Sequence, residues 1–387
     1  MKHLNLTLAM LGGLLFISCS KEVCDEENSA LSTSGTAASA RINPSQGMVY
    51  TMSNGSTQNS ILAYLQNSNG TLTFMGETAS GGTGTGSGLG SQGALIHNFP
   101  ETWLFAVNAG SNSISSFHIH SDGSLQLLST VPSGGVRPVS LAVYNDWLYV
   151  ANAGSSNVSG FNVNFDGTLS PIANSTLPLS SANADPGDIE FTPGGKALLV
   201  TEKATNKLAA FLIDPLGKTG PPTFLNTTGQ PFALSFVRGT ATGTDFMLLP
   251  ETMQSEVRIG TYAVNGAGIM SFSQQSITTH QSGSGWVVTT NDGFNSFVSN
   301  TGSNSISSIK SGNGGSLTLA HDNASNTDSQ PQDIALSGNE KYIYNISRGN
   351  HALTGYKRTN SEALSRLSTV NLPASASGLA AVNKMFY

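Results

Sequence analysis

Residues 103–111 read Trp103-Leu104-Phe105-Ala106-Val107-Asn108-Ala109-Gly110-Ser111, and residues 147–155 read Trp147-Leu148-Tyr149-Val150-Ala151-Asn152-Ala153-Gly154-Ser155. Weaker copies stand at 197–202, 297–303 and 342–348. A phrase copied every few tens of residues marks one supersecondary unit repeated along the chain, each copy needing its neighbours to bury its faces. Around each copy the order is constant. An apolar strand such as Ser140-Leu141-Ala142-Val143 comes first, and the quoted strand follows. A polar loop then leads to a third strand that ends on Tyr64, Phe117, Phe161, Phe211, Tyr262, Ile309 or Tyr356.

Turn signals follow those end positions: Asn69-Gly70, Asp122-Gly123, Asp166-Gly167, the stretch 214–217, Asn265-Gly266, Asn313-Gly314 and Asn360. Asx-Gly between alternating strands is a strong hairpin signal, because type I′ turns need positive φ. A short fourth strand comes next, as at 124–128 and 168–172. Four antiparallel strands recurring every ~45–50 residues predict the blades of a β-propeller. The fold class is therefore all-β, with residues 45–387 forming a single seven-bladed β-propeller of four-stranded antiparallel blades. The first blade lacks an inner strand before Met48-Val49-Tyr50-Thr51, and Gly378-Leu379-Ala380-Ala381-Val382 is a surplus one. Pairing the two closes the ring and removes exposed sheet edges. A β-solenoid is the competing architecture, but its repeats are shorter and carry no hairpin per period.

Composition agrees with strands and turns. Charged residues make up only 10% of the 387 residues, and Gly contributes 43. Surface helices want Glu, Lys, Arg and Ala instead. The net charge of -6 argues against a nucleic-acid partner, which needs a basic stripe. No apolar run is long enough to span a bilayer as a helix.

The N-terminus reads as a targeting segment. Lys2 and His3 precede an apolar core over 4–17, which ends in Phe16-Ile17-Ser18-Cys19. A small residue before Cys at this place resembles the bacterial lipoprotein signal, although Phe16 departs from the usual Leu. That resemblance implies a signal peptide over 1–18, lipidation of Cys19 and a tether over 19–44. It also implies a membrane contact through the anchor, on an outer-membrane lipoprotein that is periplasmic or surface-exposed. An ordinary secretory signal is the competing reading. Asp25-Glu26-Glu27 reads equally as a surface-export signal or a solvated acidic tether. Cys24 is the only other cysteine, so an acylated Cys19 leaves the body without a disulfide.

Strand order sorts the loops. Those entering first strands and those joining second to third strands lie on one face; the Asx-Gly hairpins lie on the other. The first group contains Arg137, Asp188 and Asp333, and the second contains Asn108, Asn152, Glu202, Lys203, Glu251, Asn300, Arg348 and His351. Ordinary solvated loops are the alternative for all of them. The Gly-rich run 81–90 has neither phosphate-loop spacing nor a strand–helix context, and reads as a flexible inter-blade loop. His118-Ile119-His120 sets two imidazoles on one strand face without an evident third ligand, so no metal and no cofactor is expected. Trp103 and Trp147 hold equivalent repeat positions and are expected to pack between blades.

The pattern of strand, Asn-Ala-Gly-Ser, strand, Asp-Gly-Ser-Leu resembles the seven-bladed lactonase family, which includes 6-phosphogluconolactonases and carboxymuconate cyclases. Arg348-Gly349-Asn350-His351 is similar to an Asn-Arg-Gly-His segment of that family, and Glu202 matches the place of a family Glu in proton transfer. Two departures stand beside these matches. The family's His before first strands is replaced at Arg137-Pro138-Val139 and Pro186-Gly187-Asp188, and the family's catalytic Arg falls near Glu251. The resemblance implies a lactone hydrolase, a carboxylic ester hydrolase. Glu202 would be its base, with Arg137 or Arg348 as oxyanion partner. Asp188, Lys203, Glu251, Asp333 and His351 would line a small-molecule or protein site at the channel mouth of a monomer. The alternative is a noncatalytic binding scaffold at the outer membrane.

Overall fold

The computed structural model describes residues 46–238, 243–252 and 257–383. The signal peptide expected over 1–18, the lipidation site Cys19 and the whole of the tether expected over 19–44 lie outside the described residues. Apart from 3₁₀ turns at Asn313–Gly315 and Arg348–Asn350, the regular elements described are all strands. They form seven antiparallel sheets, five of four strands and two in which one edge is split into two short strands.

Alternation of side chains is what seats each blade between its neighbours. In the third blade, Pro138–Tyr144 is innermost and pairs with Trp147–Asn152, which pairs with Asn157–Val163. One face of these strands packs with Ile189, Leu198 and Phe211 of the next blade, and the other packs with Leu104 and Phe117 of the blade before. The seven aromatic or aliphatic ends of the third strands are all buried, none more than 4% exposed.

The ring closes as the surplus strand requires. Ser377–Asn383 pairs antiparallel with Gly47–Met52, Val49 facing Ala381 and Tyr50 facing Ala380. The first blade is therefore built from both ends of the propeller sequence, which fixes the circle without a free sheet edge at the channel.

The hairpins also join blades. Tyr50 donates to the Gly123 carbonyl at 2.8 Å, Tyr149 to Gly217 at 2.8 Å, and Tyr344 to Gly70 at 3.0 Å. Each tyrosine lies on a second strand and reaches the hairpin of the following blade, the seventh reaching the first. Trp103 and Trp147 likewise pack against a hairpin of the following blade, at Gly167 and Gly217. A Cβ on Gly167 would sit 2.7 Å from the Trp103 ring, and one on Gly217 would sit 2.3 Å from Trp147 Nε1. Both glycines also have φ near +78°, so glycine is needed there twice over. The two tryptophans are inter-blade packing, as their repeat positions suggested.

Candidate functional site: a channel plugged at one end

The innermost strands of all seven blades surround a cavity of about 710 Å³. Its wall mixes polar groups with aliphatic ones, Leu95, Leu141, Leu234, Val287, Ile334 and Leu379 each coming from a different blade. At one end it reaches loops of the hairpin face, including Phe99, Glu101 and Glu340. At the other end it stops at Gln92 and Gly93.

Gln92 belongs to the glycine-rich connection between the first two blades, and this connection is a plug. Ser91 Oγ donates to the Val139 carbonyl at 2.8 Å, and Trp286 Nε1 donates to the Ser91 carbonyl at 2.9 Å. The Gln92 amide N–H donates to the Gly187 carbonyl at 2.9 Å. Its side chain donates to Asp188 Oδ2 at 3.2 Å, and its Oε1 accepts from the Val287 N–H at 2.9 Å. Lys203 Nζ donates to the Gly90 carbonyl at 2.7 Å. Gln92 Nε2 also donates to the Leu234 carbonyl at 3.4 Å, so four blades hold one loop across the mouth, and the expectation of a flexible connection is corrected. Glycines allow it: a Cβ on Gly84 or Gly93 would collide with Asn54 or Ser140. Backbone groups of a buried loop must find partners, and here blade edges supply them.

The plug lies on the face where the sequence placed the site. Arg137 is exposed and reaches Asp185 at 3.5 Å, and Lys203 reaches the same carboxylate at 3.4 Å. Lys203 also lies over the Phe232 ring, and burial lowers its pKa. Arg348 is exposed, beside Gly88 of the plug, and His351 is exposed at the following left-handed position. Arg137, Lys203 and Arg348 therefore gather around the plug rather than around a cavity.

Glu202 is turned inward. It ends the strand Ala197–Glu202 and is fully buried. Its carboxylate accepts from the Ser180 N–H at 3.0 Å, from Ser180 Oγ and from Thr205 Oγ1 at 2.6 Å. Glu251 repeats the arrangement one blade on, accepting from the Thr228 N–H at 3.2 Å and from the Thr228 and Tyr262 hydroxyls. At equivalent places Asn108 accepts from Ser80 Oγ at 2.6 Å and Asn300 from Ser284 Oγ. The repeat position is a clamp on the preceding inter-blade loop, filled by Asn in some blades and Glu in others.

Asp188 and Asp333 fall on innermost strands, Pro186–Phe191 and Pro331–Leu336, rather than in loops. Asp188 Oδ1 accepts from Ser140 Oγ at 3.1 Å and the Ile189 N–H at 2.9 Å, while Oδ2 accepts from Gln92 and the Leu234 N–H at 3.0 Å. Burial nevertheless pushes its pKa up to about 7, against those donors and helped by the charge of Asp333. Burial likewise raises Asp333 to about 7. Two groups the sequence reading missed share this channel. Glu190 lines the wall, and its pKa is raised well above normal by burial and by Asp188. Glu101 stands at the open mouth, raised by burial to about 7, with a buried Oε2 that has no partner. His97 also lines the cavity, where burial lowers its pKa and favours the neutral ring. Asp188 and Glu190 are two apart on one strand, so they share a face, and that spacing was the available signal.

The His118 and His120 rings meet at 4.6 Å near the rim of the second blade. Among the described residues no cluster of three or more His, Cys, Asp or Glu is placed to hold a metal.

This blade count, chain closure and channel can be set beside known proteins. Residues 89–179 match the family described as lactonase, 7-bladed beta-propeller. The chain is similar to the seven-bladed lactonases. No curated protein matches it in sequence. A candidate 6-phosphogluconolactonase of Bacteroides fragilis is 19% identical, with 90% of this chain and 100% of that one aligned at a TM-score of 0.70. The periplasmic gluconolactonase of Pseudomonas aeruginosa is also 19% identical, over 87% of this chain and 99% of its own, at 0.70. At such identities the likeness to solved structures is one of fold, and the lactonase-like chain must be read from its own channel.

Proposed function

We propose that this lactonase-like propeller hydrolyses a lactone inside the central channel, entered from the hairpin face. The observation that carries the reading is a cavity of about 710 Å³ lined by Glu101, whose pKa burial raises to about 7, and by Glu190, which burial and the charge of Asp188 raise well above the ordinary carboxyl range. Such groups suit proton transfer at pH 7, one as acid and one as base. A neutral Glu190 carboxyl would donate to the oxygen that gains charge as water attacks the lactone carbonyl. An ionised carboxylate of the same wall, Glu101 being the one with a free oxygen, would take the proton of that water. As the ring C–O bond breaks, Glu101 passes the water's proton to the leaving alcohol oxygen, and the carbonyl re-forms by returning its hydroxyl proton to Glu190. Measuring hydrolysis of a panel of lactones by proton release tests this. Glu190→Gln should lower the rate by on the order of 10²-fold. A full-rate variant, or no hydrolysis of any lactone, would sink the proposal.

A second reading, a noncatalytic binding scaffold, is favoured by one observation. Glu202, the family's proton-transfer position, is wrapped in loop hydrogen bonds and sealed from the channel. In either case we propose that Cys19 carries lipid and anchors the propeller outside the cytoplasm, on the strength of the Ser18-Cys19 signal. Cys19→Ala should release the protein from the membrane fraction or leave the precursor uncleaved. Wild-type protein found soluble, with an unmodified N-terminus, would refute the anchor.

A further inference from the structure

We propose that the central channel excludes anions and accepts only uncharged or positively charged ligands. Applied to the reaction proposed above, this selects a lactone without phosphate or carboxylate. That application rests on the hydrolase reading, whereas the charge selection does not.

Among the described residues no lysine or arginine lines the cavity, while Glu101, Glu190 and Glu340 do. Glu340 is compensated: it lies 4.0 Å from Arg358, and its Oε1 accepts from the Asn291 N–H at 2.5 Å. Among the described residues Glu101 and Glu190 have no ion pair, nor do Asp188 and Asp333 on the innermost strands. The remaining titratable wall group, His97, is held neutral by burial. The cations of the opposite face, Arg137 and Lys203, are paired with Asp185, and Lys203 is also tied to the plug.

Two consequences follow. A phosphate group carries about −1.5 to −2 at neutral pH. Placing it among uncompensated carboxyl groups in a low-dielectric wall costs desolvation and repulsion together. A hydroxyl or ammonium group meets the reverse situation. Glu101 Oε2 is buried at the mouth with no donor, so a ligand that brings one supplies the missing hydrogen bond. Burial raises the pKa of both Glu101 and Glu190, and no cation is among the groups that shift either one.

Thiol reagents of opposite charge test this without any assumption about catalysis. In the full chain with Cys19 and Cys24 replaced by serine, Val288→Cys places a thiol on the channel wall, and Phe165→Cys gives a reference on an exposed hairpin. Modification rates are compared for a cationic, an anionic and a neutral methanethiosulfonate. The cation-to-anion rate ratio should be on the order of 10-fold higher at Val288→Cys than at the reference, the scale of field focusing in a charged cleft. It should rise from pH 6 to pH 8 as Glu101, whose pKa lies at about 7, ionises, and fall when Glu101 and Glu190 are both replaced by glutamine. Thiolate formation cancels from the ratio. An equal or inverted ratio would overturn the proposal, as would a wall thiol that even the neutral reagent cannot reach. Val143→Cys, on another blade, serves if Val288→Cys fails to fold. Hydrolysis separates the two proposals. A preference for a phosphorylated lactone over its uncharged parent refutes charge selection and leaves the hydrolase reading intact. No hydrolysis of either removes the hydrolase reading and leaves the reagent ratio to decide.

Discussion

Gln92 Nε2 and Asp188 Oδ2 meet at 3.2 Å where the plug crosses the end of the channel. Gln92 comes from the connection between the first and second blades, and Asp188 from the innermost strand of the fourth. The same glutamine accepts from Val287 of the sixth blade. One side chain thus ties together parts of the ring that are distant in sequence.

Replacing Gln92 by alanine should therefore loosen the plug. It removes one of the donors to Asp188 and leaves the Val287 N–H without its partner, a cost of about 1–3 kcal/mol when buried. Urea denaturation should show a loss in that range, and amide exchange over 84–93 should speed up. Unchanged exchange would mean that the backbone bonds alone hold the plug.

The buried carboxyl groups make stability depend on pH. Asp188 and Asp333 have pKa values of about 7 in the folded protein, above the unfolded value of 3.8. Between those values the folded state holds more protons than the unfolded one, so stability falls as pH rises from about 4 to 7 and levels off above. The melting temperature should be higher at pH 5.5 than at pH 8, and Asp333→Asn should flatten the slope. A melting temperature that rises over that interval would contradict it.

Glu202→Gln should act on stability rather than on chemistry. An amide offers one acceptor oxygen where the carboxylate accepts from Ser180 twice and from Thr205. A loss of about 1–3 kcal/mol is expected from the unpaired donors. Once corrected for folded fraction, any lactone hydrolysis should keep its rate. A large fall in rate with unchanged stability would return Glu202 to the reaction.

Truncation before Ser377 tests closure. It removes the partner of Gly47–Met52 and bares a row of buried backbone groups, each costly to leave unpaired. Aggregation or a large fall in melting temperature is expected. A truncated protein as stable as the whole would show that the ring does not depend on this strand.

The sequence by itself determined the blades. Strand alternation and Asx-Gly turns are local rules, and each of the seven third-strand ends is buried as the repeat implies. The surplus strand at 378–382 also announced its partner, because a closed ring leaves only one place for it. The chemistry was not legible in the same way. Glu202 and Lys203 are adjacent in sequence, yet one points into a loop clamp and the other onto the plug. Glycines 81–93 show only permissive backbone until four blades supply the hydrogen bonds that pin them. Glu101, the pair Asp188 and Glu190, and Asp333 come from three separate stretches of chain. Only closing the ring brings them into one desolvated channel without a cation, and burial in that channel is what lifts their pKa values.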